Sequence, residues 1–268
     1  MLSAKERYLS KCMSQYLDEL GFDHERIQER IRFNTKLSKA IDLSTKCLLK
    51  SDKFEEIIAG STSEGIGMLC TNDLDVLHIN HAVICCDSWL STENDKLKFK
   101  MVRQKAPAGY TFLKLMCKGT DSETYKNIEY ALVKRKTEYY LSSKQYMTKN
   151  DENILQIIKG SFLSKMTYVK KPQGPSIPTF FEEFDKDGLA SSLDISDQGV
   201  DFVRAFSCQQ DDEFLIAWKG RNRKFGWPSK ENIDKVMSLP VHVVAVGKEG
   251  TKTKVCSGES LSLWQRYI

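Results

Sequence analysis

The chain has 268 residues, 41% hydrophobic and 28% charged, a composition ordinary for a globular protein that excludes a disordered or low-complexity polypeptide. Its 40 basic and 36 acidic residues leave a net charge of +4, compatible with polyanionic partners but too small to require them. The N-terminus lacks the apolar core of a signal peptide and no stretch approaches the ~20 apolar residues of a membrane helix; with eight cysteines and no C-x-x-C pair, a reduced, cytosolic or nuclear protein is expected.

Two helices open the chain. Tyr8, Leu9, Cys12, Met13, Tyr16, Leu17 and Leu20 recur at helical spacing until Gly21, predicting an amphipathic helix. After Asp23 as N-cap, the repeat Ile27, Ile31, Asn34, Leu37, Ile41, Ser44, Leu48 predicts one long helix from Glu25 to Lys50. Its other face carries Arg26, Arg30, Arg32, Lys36, Lys39, Lys46 and Lys50, diluted by Glu25, Glu29 and Asp42. Such a face is ordinarily solvated, and a nucleic-acid footprint is the sharper reading. These helices form an N-terminal region, residues 1–52, ahead of a core over residues 53–268.

The core opens on GSTSEGIGMLCTNDLDVLHI, Gly60 to Ile79. Gly60-Ser61 follows the apolar run Ile57-Ile58-Ala59, so a turn is expected whose N–H groups and hydroxyl can face a phosphate. Gly65 and Gly67 keep it free of bulk. From Asp73 the pattern alternates as a strand, so Asp73 and Asp75 leave one face while Leu74 and Val76 leave the other. Two carboxylates on one face repel, and their natural occupant is Mg²⁺, a hard ion that takes oxygen ligands together with substrate phosphates. His78, His81, Cys85 and Cys86 follow closely, but zinc would need the strand to break at Asn80, so they read as strand residues with ordinary polar partners.

Leu97–Val102 and Tyr110–Met116 predict a further hairpin in a mixed sheet, and the Lys-, Glu- and Tyr-rich run from Glu123 to Ser164 predicts two helices separated at Asn150-Asp151. Tyr139, Tyr140 and Tyr146 there read as packing residues. Short strands are expected at 166–170 and about 177–182, the second pairing with a strand that starts after Gly199 and projects Asp201 from one face. Asp194 and Asp197 are rivals to Asp201 in the turn-rich run before it. The segment 218–229 interleaves Trp218, Phe225 and Trp227 with Lys219, Arg221, Arg223 and Lys224, which reads either as a grip on phosphate and base or as a basic loop anchored by one buried tryptophan. Val241–Val246 predicts another strand. The sequence ends inside the apolar element Leu263–Ile268, where a natural chain is expected to continue.

Gly-Ser, a spacer, and D-x-D on a strand resemble the polymerase-beta-like nucleotidyltransferases, in which a third carboxylate comes from a later strand. More narrowly, GSTSEG at 60–65, NDLDVL at 72–77, GPSIP at 174–178, VDFVRAF at 200–206, WKGRNRKFGWP at 218–228 and HVVAVG at 242–247 resemble the Mab-twenty-one-like nucleotidyltransferases, which include cyclic GMP-AMP synthase and the cGAS-like receptors. The resemblance implies an α+β polymerase-beta-like core with a mixed sheet and a long N-terminal spine helix, followed in family members by a C-terminal helical lobe that is expected to be missing here. It implies a triphosphate cradle at Gly60 and Ser61, a Mg²⁺- or Mn²⁺-binding catalytic triad of Asp73, Asp75 and Asp201, and a base-contacting arginine at Arg266. The expected substrates are ATP and GTP, the product a cyclic dinucleotide or short oligonucleotide, and the activator double-stranded RNA or DNA laid along the spine helix, as in innate immune sensing. A catalytically inactive scaffold or a nucleic-acid-binding protein is the alternative, because several relatives have lost the triad.

Overall fold

The computed structural model describes residues 3–66, 73–87, 95–104, 106, 110–149, 166–169, 176–181, 199–209, 213–223, 225–246 and 263–267; for the strands at 166–169, 176–181 and 263–267 and for Asp73 it describes the backbone alone. Helix α1 (Ala4–Leu17) starts at a capping box in which Ser3 and Glu6 bond reciprocally. A π-helical turn over Asp18–Phe22, with Gly21 at φ +88°, leads into α2 (His24–Leu49), the long helix expected from the periodicity. Asp23 caps α2 by accepting from the Arg26 N–H at 3.0 Å, a bond of a kind that stabilises a helix by about 1 kcal/mol.

Eleven strands follow among the described residues: β1 (Phe54–Ala59), β2 (Asp73–Cys86), β3 (Leu97–Val102), β4 (Tyr110–Cys117), β5 (Leu132–Arg135), β6 (Glu138–Leu141), β7 (Met166–Val169), β8 (Ser176–Phe181), β9 (Gly199–Cys208), β10 (His242–Val246) and β11 (Leu263–Tyr267). They pair in the order β1-β2-β3-β4-β11-β10-β9-β8-β7, and β9 also pairs with β2. Strands β2, β3, β4, β11, β10 and β9 therefore close a circuit, with β1 on one outer edge and the β8–β7 hairpin on another. The sheet is mixed, since β2 runs parallel to both β3 and β9 and the other pairings are antiparallel. The predicted 97–116 hairpin and the β8–β9 pairing are both present.

The run from Glu123 departs from the helical expectation. Only α4 (Ser122–Glu129) and α5 (Ser143–Lys149) are helical, and the β5–β6 hairpin lies between them on β4. Residues 150–164, which hold the second expected helix, lie outside the described residues. Two further helices, α6 (Glu213–Lys219) and α7 (Lys230–Met237), complete the described elements.

The main core gathers Val76, Val83, Leu97, Phe99, Leu113, Leu141, Phe202, Phe206, Val243 and Ala245, with Ile128 of α4 and Tyr146 and Met147 of α5 against it. Tyr146 packs on Phe206 with ring centroids 5.2 Å apart, in keeping with its reading as a packing residue. The opposite face carries a smaller cluster of Leu77, Ile79, Val203, Ala205 and Val244. Alternation along β2 is thus as predicted: Leu74 and Val76 go to the main core, and Asp75 shares its face with Leu77 and Ile79. No helix among the described residues is long and apolar enough to cross a membrane.

Candidate active site

The site begins where two parallel strands start side by side. In the β2–β9 register Asp75 is the partner of Asp201, Asp73 is the partner of Gly199, and Leu77 and Val203 come next on the carboxylate face. The two aspartates therefore cap a column of apolar side chains at the N-terminal ends of β2 and β9, on one face of the sheet. Both are half-buried. The third member of the expected triad, Asp73, belongs to β2 by its backbone, while its side chain lies outside the described residues, as do Asp194 and Asp197.

The Gly60 turn meets these carboxylates directly. Strand β1 pairs with β2 so that Ala59 is the partner of Asp75, and the chain then enters the short helix α3 (Gly60–Ser63). Gly60 has φ +69°, and a Cβ built there would overlap the Asp75 carboxylate oxygen Oδ2. Glycine is thus required twice, for its backbone conformation and for the close approach of the carboxylate. Ser61 is exposed beside it, Ser63 Oγ donates to the Gly60 carbonyl at 2.8 Å, and the Ile66 N–H donates to the Ser61 carbonyl at 3.0 Å.

The long helix holds this turn from behind, which the sequence reading did not foresee. Asn34, buried on α2, donates from Nδ2 to the Thr62 carbonyl at 2.6 Å. Arg30 donates from Nε to the Gly65 carbonyl at 2.6 Å and from a terminal nitrogen to the Gly21 carbonyl at 2.8 Å, with its guanidinium 5.7 Å from the Phe22 ring centroid. Gly65, at φ +73°, lets α2 approach until a Cβ there would lie 2.6 Å from the Ile27 carbonyl oxygen. Further along, Ser38 Oγ accepts from the Ile58 N–H at 3.0 Å, and Asp42 accepts from the Glu56 N–H at 3.0 Å. The signal in the sequence was Asn34, a polar residue at a position of the apolar repeat.

The basic face of α2 is consequently smaller than expected. Arg30 is turned inward, Arg26 pairs with Asp23 at 3.4 Å, and Lys46 pairs with Asp42 at 2.8 Å. Arg32, Lys36 and Lys39 remain as an exposed stripe at helical spacing, and Lys50 is exposed at the C-cap.

The other candidates separate from this centre. The backbone of Arg266 pairs with Val243, which pairs with Phe206, so it lies in a row five residues along β9 from Asp201, roughly 17 Å away along the strand; its side chain lies outside the described residues. The His78–Cys86 group stays in one strand and its members find different partners. His78 Nδ1 lies 2.5 Å from Glu56 Oε1, His81 bonds Glu55 and Ser207 at 2.8 Å each, Cys85 is buried beside Cys208, and Cys86 Sγ approaches the Phe99 carbonyl at 3.6 Å. Burial, with Cys208 beside it, pushes the Cys85 thiol well above its ordinary range. In the 218–229 segment the Arg223 guanidinium lies 4.8 Å from the Trp218 ring centroid, while Phe225 and Trp227 are 88% and 81% exposed, so Trp227 does not anchor the loop.

Oxygen donors on adjacent strands are what a hard divalent cation takes, and Asp75 and Asp201 are of that kind. The residues present are therefore of a kind that Mg²⁺ or Mn²⁺ takes. Comparison with protein-family models found none that matches the chain, and a search of curated proteins found no match.

Proposed function

We propose that the chain is the core of a metal-dependent nucleotidyltransferase of the Mab-twenty-one-like, cGAS-like type, joining ATP and GTP into a cyclic dinucleotide or short oligonucleotide. The observation that carries this reading is the in-register pair Asp75 and Asp201 with the Asp75 carboxylate set against Gly60. Mg²⁺ or Mn²⁺, when bound, supplies charge neutralisation for the triphosphate and acidity for the attacking hydroxyl. The chain itself supplies placement. The Gly60 turn and the Ser61 hydroxyl hold the triphosphate, Asp73 and Asp75 hold its counter-charge, and Asp201 orients the hydroxyl that attacks the α-phosphate while pyrophosphate leaves. Arg30 and Asn34 keep the turn in place from the spine helix. The activating partner in this reading is a duplex nucleic acid whose phosphates meet Arg32, Lys36 and Lys39, a contact independent of sequence and weakened by salt.

The test is calorimetric titration of ATP and GTP in Mg²⁺ or Mn²⁺ into this chain and into its Asp75→Asn, Asp201→Asn variant. Metal-dependent binding that disappears in a folded variant is the expected result. Equal binding, or none to either protein, removes the support for a nucleotidyl-transfer centre in this chain and favours the catalytically inactive scaffold.

A further inference from the structure

A second feature precedes the spine, at the end of α2 that also holds the Gly60 turn. Helix α1 buries none of its residues, yet it has a well-formed apolar face: Tyr8 is 68% exposed, Leu9 55%, Met13 61% and Tyr16 58%, with Leu17 and Leu20 exposed beside them. Scattered apolar residues on a surface are ordinary, but a continuous helical stripe is not. Leu9, Met13, Tyr16 and Leu20 are spaced four, three and four residues apart, the alternation of a coiled-coil seam.

The charges flanking that seam identify its occupant. Lys5, Cys12 and Glu19 follow one another at seven-residue intervals, so they share one flank of the seam, with lysine near the amino end and glutamate near the carboxyl end. Two copies laid antiparallel put Lys5 of each opposite Glu19 of the other and bring the two Cys12 side chains together on the two-fold axis. Of the other charges, Arg7 and Lys11 lie toward the amino end and Asp18 toward the carboxyl end; Glu6, bonded into the Ser3 cap, is the exception. Cys12 is exposed and free. With exposures of this size on side chains of about 150–250 Å² each for the aromatics, the face would bury on the order of 600 Å² per copy, somewhat below the ~800 Å² per partner of a standard interface.

We propose that α1 is a homodimerisation arm, pairing antiparallel with α1 of a second copy of this chain about an axis through Cys12. The pairing rests on α1 and the π-helical turn that follows it, and is independent of the carboxylate centre. The self-complementary face favours a second copy over a different partner, because one surface satisfies both its apolar seam and its own charges.

Sedimentation equilibrium across about 1–100 μM, the range suited to an interface of this size, tests it. A concentration-dependent dimer is expected, with dissociation at least tenfold easier in Leu9→Glu, Met13→Glu and the thermal transition unchanged in dilute solution, where both proteins are monomers and α1 buries nothing. Single reversals Lys5→Glu and Glu19→Lys should each weaken the dimer, and the double reversal in one chain should restore it. A thiol cross-linker should give a covalent dimer that is lost in Cys12→Ser and kept in Cys47→Ser and Cys117→Ser. A monomer throughout the range, a dimer indifferent to Leu9→Glu, Met13→Glu, or charge reversals without rescue would overturn the proposal, and a monomer whose α1 is shielded from the cross-linker would assign the face to another occupant.

Discussion

Alanine at Gly60 separates the structural demand on the cradle from its role beside the carboxylate. The residue has φ +69°, and the left-handed region costs an L-residue roughly 1–2 kcal/mol. Gly226 is an internal control, since its φ is +65° and a Cβ there meets nothing within 4 Å. Gly226→Ala should therefore lose about 1 kcal/mol, a few degrees in Tm, and leave nucleotide binding unchanged. Gly60→Ala carries the same conformational cost and in addition drives the Asp75 carboxylate from its place. A reacting group displaced by about 1 Å can lose on the order of 100-fold in rate, so metal-dependent ATP binding and any turnover should fall at least about tenfold. Gly65→Ala should be the least stable of the three, about 2–5 kcal/mol below wild type, because its Cβ meets the backbone carbonyl of Ile27 rather than the end of a side chain. The assay is urea unfolding of all three variants together with calorimetry of Mg²⁺–ATP. A Gly60→Ala protein that binds Mg²⁺–ATP as tightly as Gly226→Ala would refute the contact between cradle and carboxylate.

Three other outcomes follow from named contacts. Asn34→Ala removes a buried donor from the Thr62 carbonyl and should cost about 1–3 kcal/mol in urea unfolding, while Thr35→Ala, exposed on the neighbouring position, should cost little. If duplex nucleic acid binds along α2, neutralising Lys36 and Lys39 to glutamine should weaken it on every sequence and lower the salt slope by about one per residue, whereas Arg30→Gln should act chiefly on stability because Arg30 faces the turn. His242 is held neutral by burial, then by the nearby His81, against the opposing pull of Glu55, so its folded pKa lies below the ordinary 6.5. The unfolded chain therefore binds the extra proton first, and the stability due to a neutral His242 is present above about pH 6.5 and lost as pH falls below it. Tm measured from pH 7.5 down to 5.5 should fall, and less steeply in His242→Gln.

Elements that rest on local periodicity were legible in the sequence. The repeat from Ile27 gave α2, alternation from Asp73 gave β2, and the pattern around Asp201 gave β9 with β8 beside it. The β5–β6 hairpin was not legible because its two-residue turn places Lys136 at φ +54°, without the glycine or asparagine that usually marks such a turn. Leu48 fits the apolar repeat of α2 yet is exposed, since packing against β1 decides which face is covered. Arg30 was misplaced for a related reason: a cation on a mostly solvated helix face carries no local mark of the carbonyl, 35 positions away, that it will meet.

The candidate site lay between these extremes, and its physics explains why. That Asp73 and Asp75 share a face follows from two-residue alternation, but the partnership of Asp75 with Asp201 depends on a parallel pairing across more than a hundred residues. A slip of one residue in that pairing would put Asp201 on the other face, into the core now occupied by Phe202. What holds the register is therefore apolar: Val76 with Phe202 on one face, and Leu77 with Val203 and Ile79 with Ala205 on the other. Two carboxylates brought together repel, and the buried column beneath them contributes to the stability that offsets their repulsion. The same column sets where Gly60 falls, because β1 is registered on the same strand, Ala59 against Asp75 and Ile57 against Leu77. Cradle and carboxylates thus share one ruler, and a substitution such as Leu77→Ala, in the column beneath them, would loosen both together.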